Sequence, residues 1–491
     1  MAWLDQLPAA VFVLLIAIYC IAIVYTIIRI LLDTSSTPKT LAYILLVLVF
    51  PIIGMIIYFA FGINYRHRKI NKKRLEIYAS FVVDFNKNVE DETNGLINRY
   101  RDQLGPYDDL IRFVYNLGTE NLCMNDFLLL VNGEEKFPEV LKTLEEARRF
   151  IHMEYYAWEN DTRGNQVKDL LIKKRREGIV VRVLYDAYAS RKIKNNIVRE
   201  LSENGIEIYP VIKVKIKQLA NRINHRDHRK IIIVDGHTAF LGGINVSDRY
   251  DNSIDTGLYW RDTHVKITGK TVFNIQRHFI INWNASQGNP VPFSSDLFPV
   301  NGFPALSGKA GFAQIVAGGP IYPLSNIMLT YFKVFTISRQ RLYITNPYFI
   351  PNESILSALK QAALSGVDVR LLLPAKSDSA IVGAASRFYF SELLQAGVRI
   401  FLYKKGFVHA KTVVADGNLS IIGTANMDIR SFDLNFEIMP VINDRTLAEH
   451  LESVFHDDLR ECDEITPAEW NKNSPTKLLN FAIARLISSF L

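Results

Sequence analysis

Cysteine is scarce in this chain: Cys20, Cys123 and Cys462 stand far apart among 491 residues. That excludes a disulfide framework and any CxxC metal or redox motif, and it fits idle thiols in a reducing compartment. Charge is sparse as well, at 22% of residues against 49% hydrophobic, which excludes a disordered or low-complexity protein. Basic residues are missing from the first 28 positions, where Asp5 is the single charge. A cleaved signal peptide needs a positive start, so that reading fits poorly. Zinc is disfavoured too, because His225 and His228 have no thiol or third histidine in a metal-binding frame.

What the chain does have is two long apolar runs. Ala9 to Ile28 and Leu41 to Ile63 carry no charge over 20 and 23 residues. At ~1.5 Å per helical residue, either can cross a hydrocarbon core of ~30 Å, and globular core helices rarely stay charge-free for so long. Residues 1–65 are therefore expected to form a transmembrane hairpin with spans at about 9–30 and 41–63. The link Asp33 to Thr40 is polar, and its Pro38 interrupts a continuous helix. Just beyond the second run stand Arg66, Arg68, Lys69, Lys72, Lys73 and Arg74 with no acid between them. The positive-inside rule puts this collar on the cytoplasmic side and the link outside, with Arg29 and Lys39 opposing weakly. The expected location is the inner cell membrane, multi-pass, with everything after residue 75 under the cytoplasmic leaflet.

After the collar and a connecting region (66–130), the pattern turns α/β. Ile151–Trp158, Ile179–Tyr185 and Ile206–Val211 read as strands, with a helix over Asn165–Glu177. The same order returns as Leu342–Phe349, a helix near Ser354–Ser365, Val367–Leu373 and Val398–Tyr403. Residues 228–245 (HRKIIIVDGHTAFLGGIN) and 409–426 (HAKTVVADGNLSIIGTAN) then align without a gap. The pairs are His228/His409, Lys230/Lys411, Asp235/Asp416, Gly242/Gly423 and Asn245/Asn426, each 181 residues apart. The expected architecture is two homologous lobes, 131–300 and 301–465, each a mixed sheet flanked by helices, related by a pseudo-two-fold.

Those residues suit a phosphodiester. In a strand, positions two apart share a face, so His228 and Lys230 point together. Asp235-Gly236 makes a turn, and the return strand brings Asn245 alongside. Two facing lobes supply two imidazoles, two ammonium groups and two carboxamides. Lys230, Lys411, Asn245 and Asn426 can bind the phosphate's non-bridging oxygens and the charge that builds on them. One imidazole can attack phosphorus while the other serves as acid and then base. Each needs an acceptor on its second nitrogen. Asp262, 34 residues after His228, and Glu437, 28 after His409, are assigned as the histidine-orienting acids. The lysines supply the positive charge a divalent ion would otherwise bring, so no metal is expected.

The paired HxKxxxxD runs followed by GGIN and GTAN resemble the motifs of the phospholipase D superfamily. FPIIGMIIYFAFG (50–62), NPYFIPNES (346–354) and GTANMDIRSFDLNFE (423–437) further resemble bacterial cardiolipin synthases of the phospholipase D type, over nearly the whole chain. The resemblance implies phosphatidyl transfer between two phosphatidylglycerols, giving cardiolipin and glycerol without a cofactor. It also implies that His228 forms the phosphatidyl intermediate and His409 is the acid then base. His228, Lys230, Asp235, His409, Lys411 and Asp416 form the family's catalytic set, with Asp235 and Asp416 more supports than reactants. The symmetry of the two motifs does not itself choose the nucleophile. The implied partners are phosphatidylglycerol and anionic membrane lipids, with no nucleic acid and with self-association left open. Hydrolysis of phospholipid, or a membrane-bound nuclease, would use the same motifs.

The last segment, 475–491, reads as an amphipathic helix with Leu478, Leu479, Ile483, Leu486, Ile487 and Phe490 on one face. Docking on the core and lying at a membrane surface explain it equally well. The collar's six basic residues, and seven against one acid in 213–230, exceed the chain's total of +7, so the remainder is net acidic. Positive charge is concentrated where an anionic bilayer and a phosphodiester are expected.

Overall fold

The computed structural model describes residues 9–34, 37–62, 89–118, 120–211, 225–286, 290–294, 296–299 and 304–488. The collar at 66–74 and Lys213, Lys215, Lys217 and Arg222 of the second basic segment lie outside the described residues. The chain divides into an N-terminal unit, within residues 1–71, and a body holding everything described from Val89 to Ser488.

In the N-terminal unit, helix α1 (Ala9–Asp33) is, among the described residues, the one helix long and apolar enough to cross a membrane. The expected second span is not one helix. Helix α2 (Thr37–Val49) stops at Phe50, and α3 (Pro51–Ile57) with a π-helical turn (Tyr58–Gly62) runs back beside it. Pro51 supplies the break, since it lacks an N–H and its ring clashes with the carbonyl of the preceding turn. Phe50 accordingly leaves the helical region, at φ −129° and ψ 71°. Hydropathy cannot register this reversal, because both limbs are equally apolar.

The body is built on one fifteen-stranded sheet. The first lobe contributes β1 (Cys123–Val131), β2 (Phe150–Tyr155), β3 (Val180–Tyr185), β4 (Glu207–Pro210), β5 (Lys230–Val234), β6 (Thr238–Gly242) and, after a two-residue β7 (Trp260–Arg261), β8 (Thr263–Gly269). The second contributes β9 (Gly311–Gly318), β10 (Arg341–Thr345), the short β11 (Phe349–Ile350), β12 (Asp368–Pro374), β13 (Arg399–Tyr403), the short β14 (Phe407–Val408), β15 (Thr412–Ala415), β16 (Leu419–Ile422), the short β17 (Met427–Asp428), β18 (Glu437–Asn443) and β19 (Cys462–Ile465). Along the sheet the order is β19-β13-β12-β10-β15-β16-β18-β9 and then β1-β8-β6-β5-β2-β3-β4. Apart from β19 this reads the same from both ends, so the pseudo-two-fold passes between β9 and β1. Those two strands pair antiparallel and fuse the lobes' sheets.

The first lobe therefore opens at Cys123, inside the stretch read from sequence as connecting. β1 belongs to it because the strand pairs with β8 along its length, Val131 opposite Thr263 and Asn125 opposite Gly269. The motif strands explain their own sequence. Ile231 and Ile233 of β5 enter the hydrophobic core on one face of the sheet, while Ile232 and Val234 enter the core on the other. A strand covered on both faces is continuously apolar rather than alternating, and each such side chain contributes about 1.5–3 kcal/mol on burial.

The C-terminal helix Pro475–Ser488 docks on the second lobe through Phe481 and Ala484, with Phe481 stacked on Trp470 at 5.8 Å. Its other apolar residues, Leu478, Leu479, Ile483 and Leu486, remain exposed. Both sequence readings of this helix thus apply, to different faces.

Candidate active site

The site forms where the two lobes exchange short backbone segments. β14 pairs with β7 in parallel, Phe407 opposite Trp260, and His409 N–H donates to the Arg261 carbonyl at 2.7 Å. On the mirror-related side, Phe436 N–H donates to the Arg226 carbonyl at 2.8 Å and His228 N–H to the Phe436 carbonyl at 2.9 Å. Each exchange sets an acid beside a histidine of the other lobe. His228 Nδ1–H donates to Glu437 at 3.0 Å, and His409 Nδ1–H donates to Asp262 Oδ2 at 2.7 Å. Spacing had marked both acids without pairing them; the structure pairs them across the interface. With a carboxylate on each Nδ1, the tautomer leaves each Nε2 with its lone pair directed at a reacting group.

Both lysines are buried and bond back to their own motif, Lys230 Nζ to the His228 carbonyl at 2.6 Å and Lys411 Nζ to the His409 carbonyl. Asn245 is buried with Oδ1 accepting from Ala157 N–H (3.2 Å) and Nδ2 donating to Tyr250 Oη (2.6 Å). Asn426 Oδ1, equally enclosed, has no hydrogen-bond partner among the described residues. The two carboxamides are therefore not equivalent.

Burial dominates the electrostatics. It lowers Lys230 to about 7, with neighbouring Lys411 adding to the effect, and Lys411 to about 8. It lowers His228, against the pull of Glu437, and with Lys411 it takes His409 down to about 3. Burial pushes Glu437 up, but His228, Lys230 and Thr424 outweigh it and hold the carboxylate below its usual value. In the empty site His409 is thus neutral, and the proton it donates must arrive with an anionic substrate that favours the imidazolium. The lysines set the alkaline limb. As pH rises past about 7 and then 8 the free enzyme loses first the Lys230 and then the Lys411 charge, so kcat/KM should fall across that range. kcat should persist to higher pH, since a bound phosphodiester holds both lysines protonated. Parallel pH profiles of the two parameters test this, and a kcat/KM unchanged through the range contradicts it.

Asp235 and Asp416, grouped with the catalytic set in the sequence reading, do not reach this centre. Five strand residues separate Lys230 from Asp235, roughly 16 Å. Both aspartates adopt φ +53° in the turn at the far end. Asp235 accepts from the N–H groups of Arg148, Arg149 and Phe150 at 2.8–3.0 Å, and Asp416 does the same for Arg339, Gln340 and Arg341. Each acid clamps the start of the neighbouring strand, β2 or β10. Asp235→Ala should therefore cost about 2–4 kcal/mol of stability, from lost charge-assisted bonds and orphaned N–H groups. Denaturant unfolding in detergent checks the loss, and kcat of the folded fraction should change little.

Several contributors carried no sequence signal. Tyr156, just past the end of β2, sets its ring edge-on to His228 at 4.7 Å. Around His409 stand Tyr250, Trp260 and Phe407, with centroids 5.6–5.9 Å away. The walls thus exclude water while the polar groups converge. Gly243 and Thr424 hold equivalent places in the repeat but do different things. A β-carbon at Gly243 would overlap the Asp262 carboxylate, whereas Thr424 Oγ1 donates to Glu437 Oε2. The shorter acid needs the space, and the longer one receives a donor.

Two imidazoles, two lysines and two orienting acids, assembled from duplicated α/β lobes, define a phosphodiester-transfer enzyme that works through a covalent histidine adduct. Residues 140–278 and 332–459 match the family described as cardiolipin synthase, PLD-like domain, and residues 21–62 match the phospholipase D-nuclease N-terminal family. The chain is 38% identical to cardiolipin synthase 2 of Bacillus anthracis over 464 residues, covering 94% of this chain and 88% of that one. It is 36% identical to a cardiolipin synthase of Geobacillus kaustophilus, covering 96% and 92%. Phosphatidylserine synthase of Haemophilus influenzae shares the fold, with a TM-score of 0.57 at 16% identity over 78% of this chain and 99% of that one. The chain belongs to the cardiolipin synthases of the phospholipase D superfamily. It is a phosphatidyltransferase with phospholipid substrates and a membrane association.

Proposed function

We propose that the enzyme joins two phosphatidylglycerols through a phosphatidyl-His228 intermediate. His228 Nε2 attacks phosphorus, the bond to the glycerol oxygen breaks, and that oxygen leaves with the proton of His409. The second phosphatidylglycerol then gives its glycerol hydroxyl proton to His409 and attacks phosphorus, and the P–N bond breaks. Cardiolipin and one glycerol result, and both histidines return to their starting state. Lys230, Lys411, Asn245 and Asn426 hold the non-bridging oxygens, where each well-aimed donor is worth ~10²–10³-fold in rate. The carrying observation is that each imidazole is fixed by a carboxylate of the opposite lobe, which leaves both Nε2 atoms for phosphorus and the leaving oxygen.

The aromatic walls favour an alcohol acceptor over water. The collar supports a cytoplasmic orientation of the body and an affinity for anionic lipid. Nothing in the reaction calls for nucleic acid. The test uses purified full-length protein in vesicles containing phosphatidylglycerol labelled in its headgroup glycerol. Cardiolipin with one released glycerol per molecule is expected; phosphatidic acid as the main product would replace transfer by hydrolysis.

A further inference from the structure

We infer that the second apolar stretch enters and leaves the membrane on one face, as a wedge whose partner is the acyl chains of a single leaflet, leaving α1 as the sole crossing. Four observations within the N-terminal unit carry this. The limbs α2 and α3 are in close contact: a β-carbon on Gly54 would lie 2.6 Å from the Leu46 carbonyl oxygen, and the Tyr43 and Tyr58 rings stand 5.7 Å apart. Contacts between positions 46 and 54, and between 43 and 58, describe an antiparallel pair turning at Phe50–Pro51.

The returning limb also reaches the end of α1. Tyr58 Oη donates to Asp33 Oδ2 at 3.0 Å, and Arg29 pairs with the same oxygen at 2.7 Å. The exit of the wedge and the C-terminal end of α1 therefore lie at one level. From Gly62 to Arg66 is four residues, at most ~14 Å of chain, too little to cross ~30 Å of hydrocarbon.

The turn is apolar where a span's exit would be polar. Leu48, Val49, Phe50, Ile52 and Ile53 are each 56–62% exposed, a surface that only lipid satisfies. Ten residues from Leu41 to Phe50 give a limb of roughly 15 Å, half the hydrocarbon thickness. Breaking a helix at that depth requires backbone satisfaction. Pro51 brings no N–H to satisfy, and the Phe50 carbonyl accepts from Gly54 N–H at 2.6 Å.

The charges then agree. With two spans, Arg29 and Lys39 face away from the collar; with the wedge they share its side, and the far side receives the N-terminal segment, which holds Asp5 and no basic residue. The enzyme is thereby seated in the leaflet facing its own catalytic body.

Single cysteines test this in the full-length chain: Ala2→Cys, Ser35→Cys and Asn71→Cys on a Cys20→Ser parent, labelled with a membrane-impermeant maleimide before and after permeabilising spheroplasts, with the parent's labelling subtracted. Positions 35 and 71 should label together in one condition, and position 2 in the opposite one. Opposite accessibility of 35 and 71 restores a second span and overturns the proposal, as does shared accessibility of all three. A protease site inserted between Ser35 and Ser36 repeats the comparison without cysteine. If 35 and 71 label together from outside, the wedge stands and the cytoplasmic orientation proposed above fails.

Discussion

His228→Ala should abolish the phosphatidyl-enzyme and lower cardiolipin formation by at least about 10⁴-fold, the scale seen when a nucleophile acting within a catalytic unit is removed. His409→Ala should lower turnover comparably for a different reason: the glycerol oxygen cannot leave without a proton, nor can the second alcohol attack while keeping its own. A donor with a nitrophenyl leaving group separates the two roles, because nitrophenolate leaves unprotonated. With that donor, His409→Ala should release a burst of nitrophenol and stall as the phosphatidyl-enzyme, while His228→Ala should release none. A burst from His228→Ala alone would exchange the two assignments.

Glu437→Gln and Asp262→Asn should each lower turnover on the order of 10³–10⁴-fold, the cost of an imidazole left in the wrong tautomer. Their signatures should cross between lobes. Glu437 holds His228, so Glu437→Gln should lose the nitrophenol burst although its own lobe's histidine is intact. Asp262 holds His409, so Asp262→Asn should keep the burst and lose the steps needing an acid or base. If each acid served its own lobe, these outcomes would be exchanged. The same variants disconnect tautomer from fold, because Gln and Asn preserve shape and the buried Thr424 hydroxyl can bond an amide oxygen as well as a carboxylate.

Much of the site was legible because it depends on short-range geometry. His and Lys two apart, an apolar strand, an Asp-Gly turn and a returning Asn are a local unit, and its repetition 181 residues later marks two lobes. The strand expectations hold closely: Ile179–Tyr185 is β3 and Val398–Tyr403 is β13, within a residue of their ends. What was misplaced depends on contacts distant in sequence. β1 looks like a connector until β8 and β9 pair with it, and Leu41–Ile63 looks like a span until Pro51 turns the chain back.

From the sequence alone came the duplicated chemistry: two imidazoles, two ammonium groups and two acids at fixed offsets, next to an apolar N-terminal region rich in hydrocarbon-seeking residues. Those are properties of residue type and spacing, which hydropathy and strand periodicity express directly. Tertiary structure alone decided which acid serves which histidine, since that follows from β7 pairing with β14 and from Phe436 bonding to Arg226 and His228 across the pseudo-two-fold. It also moved Asp235 and Asp416 out of the reacting centre, because a strand carries its turn some five residues away from the end that bears the histidine.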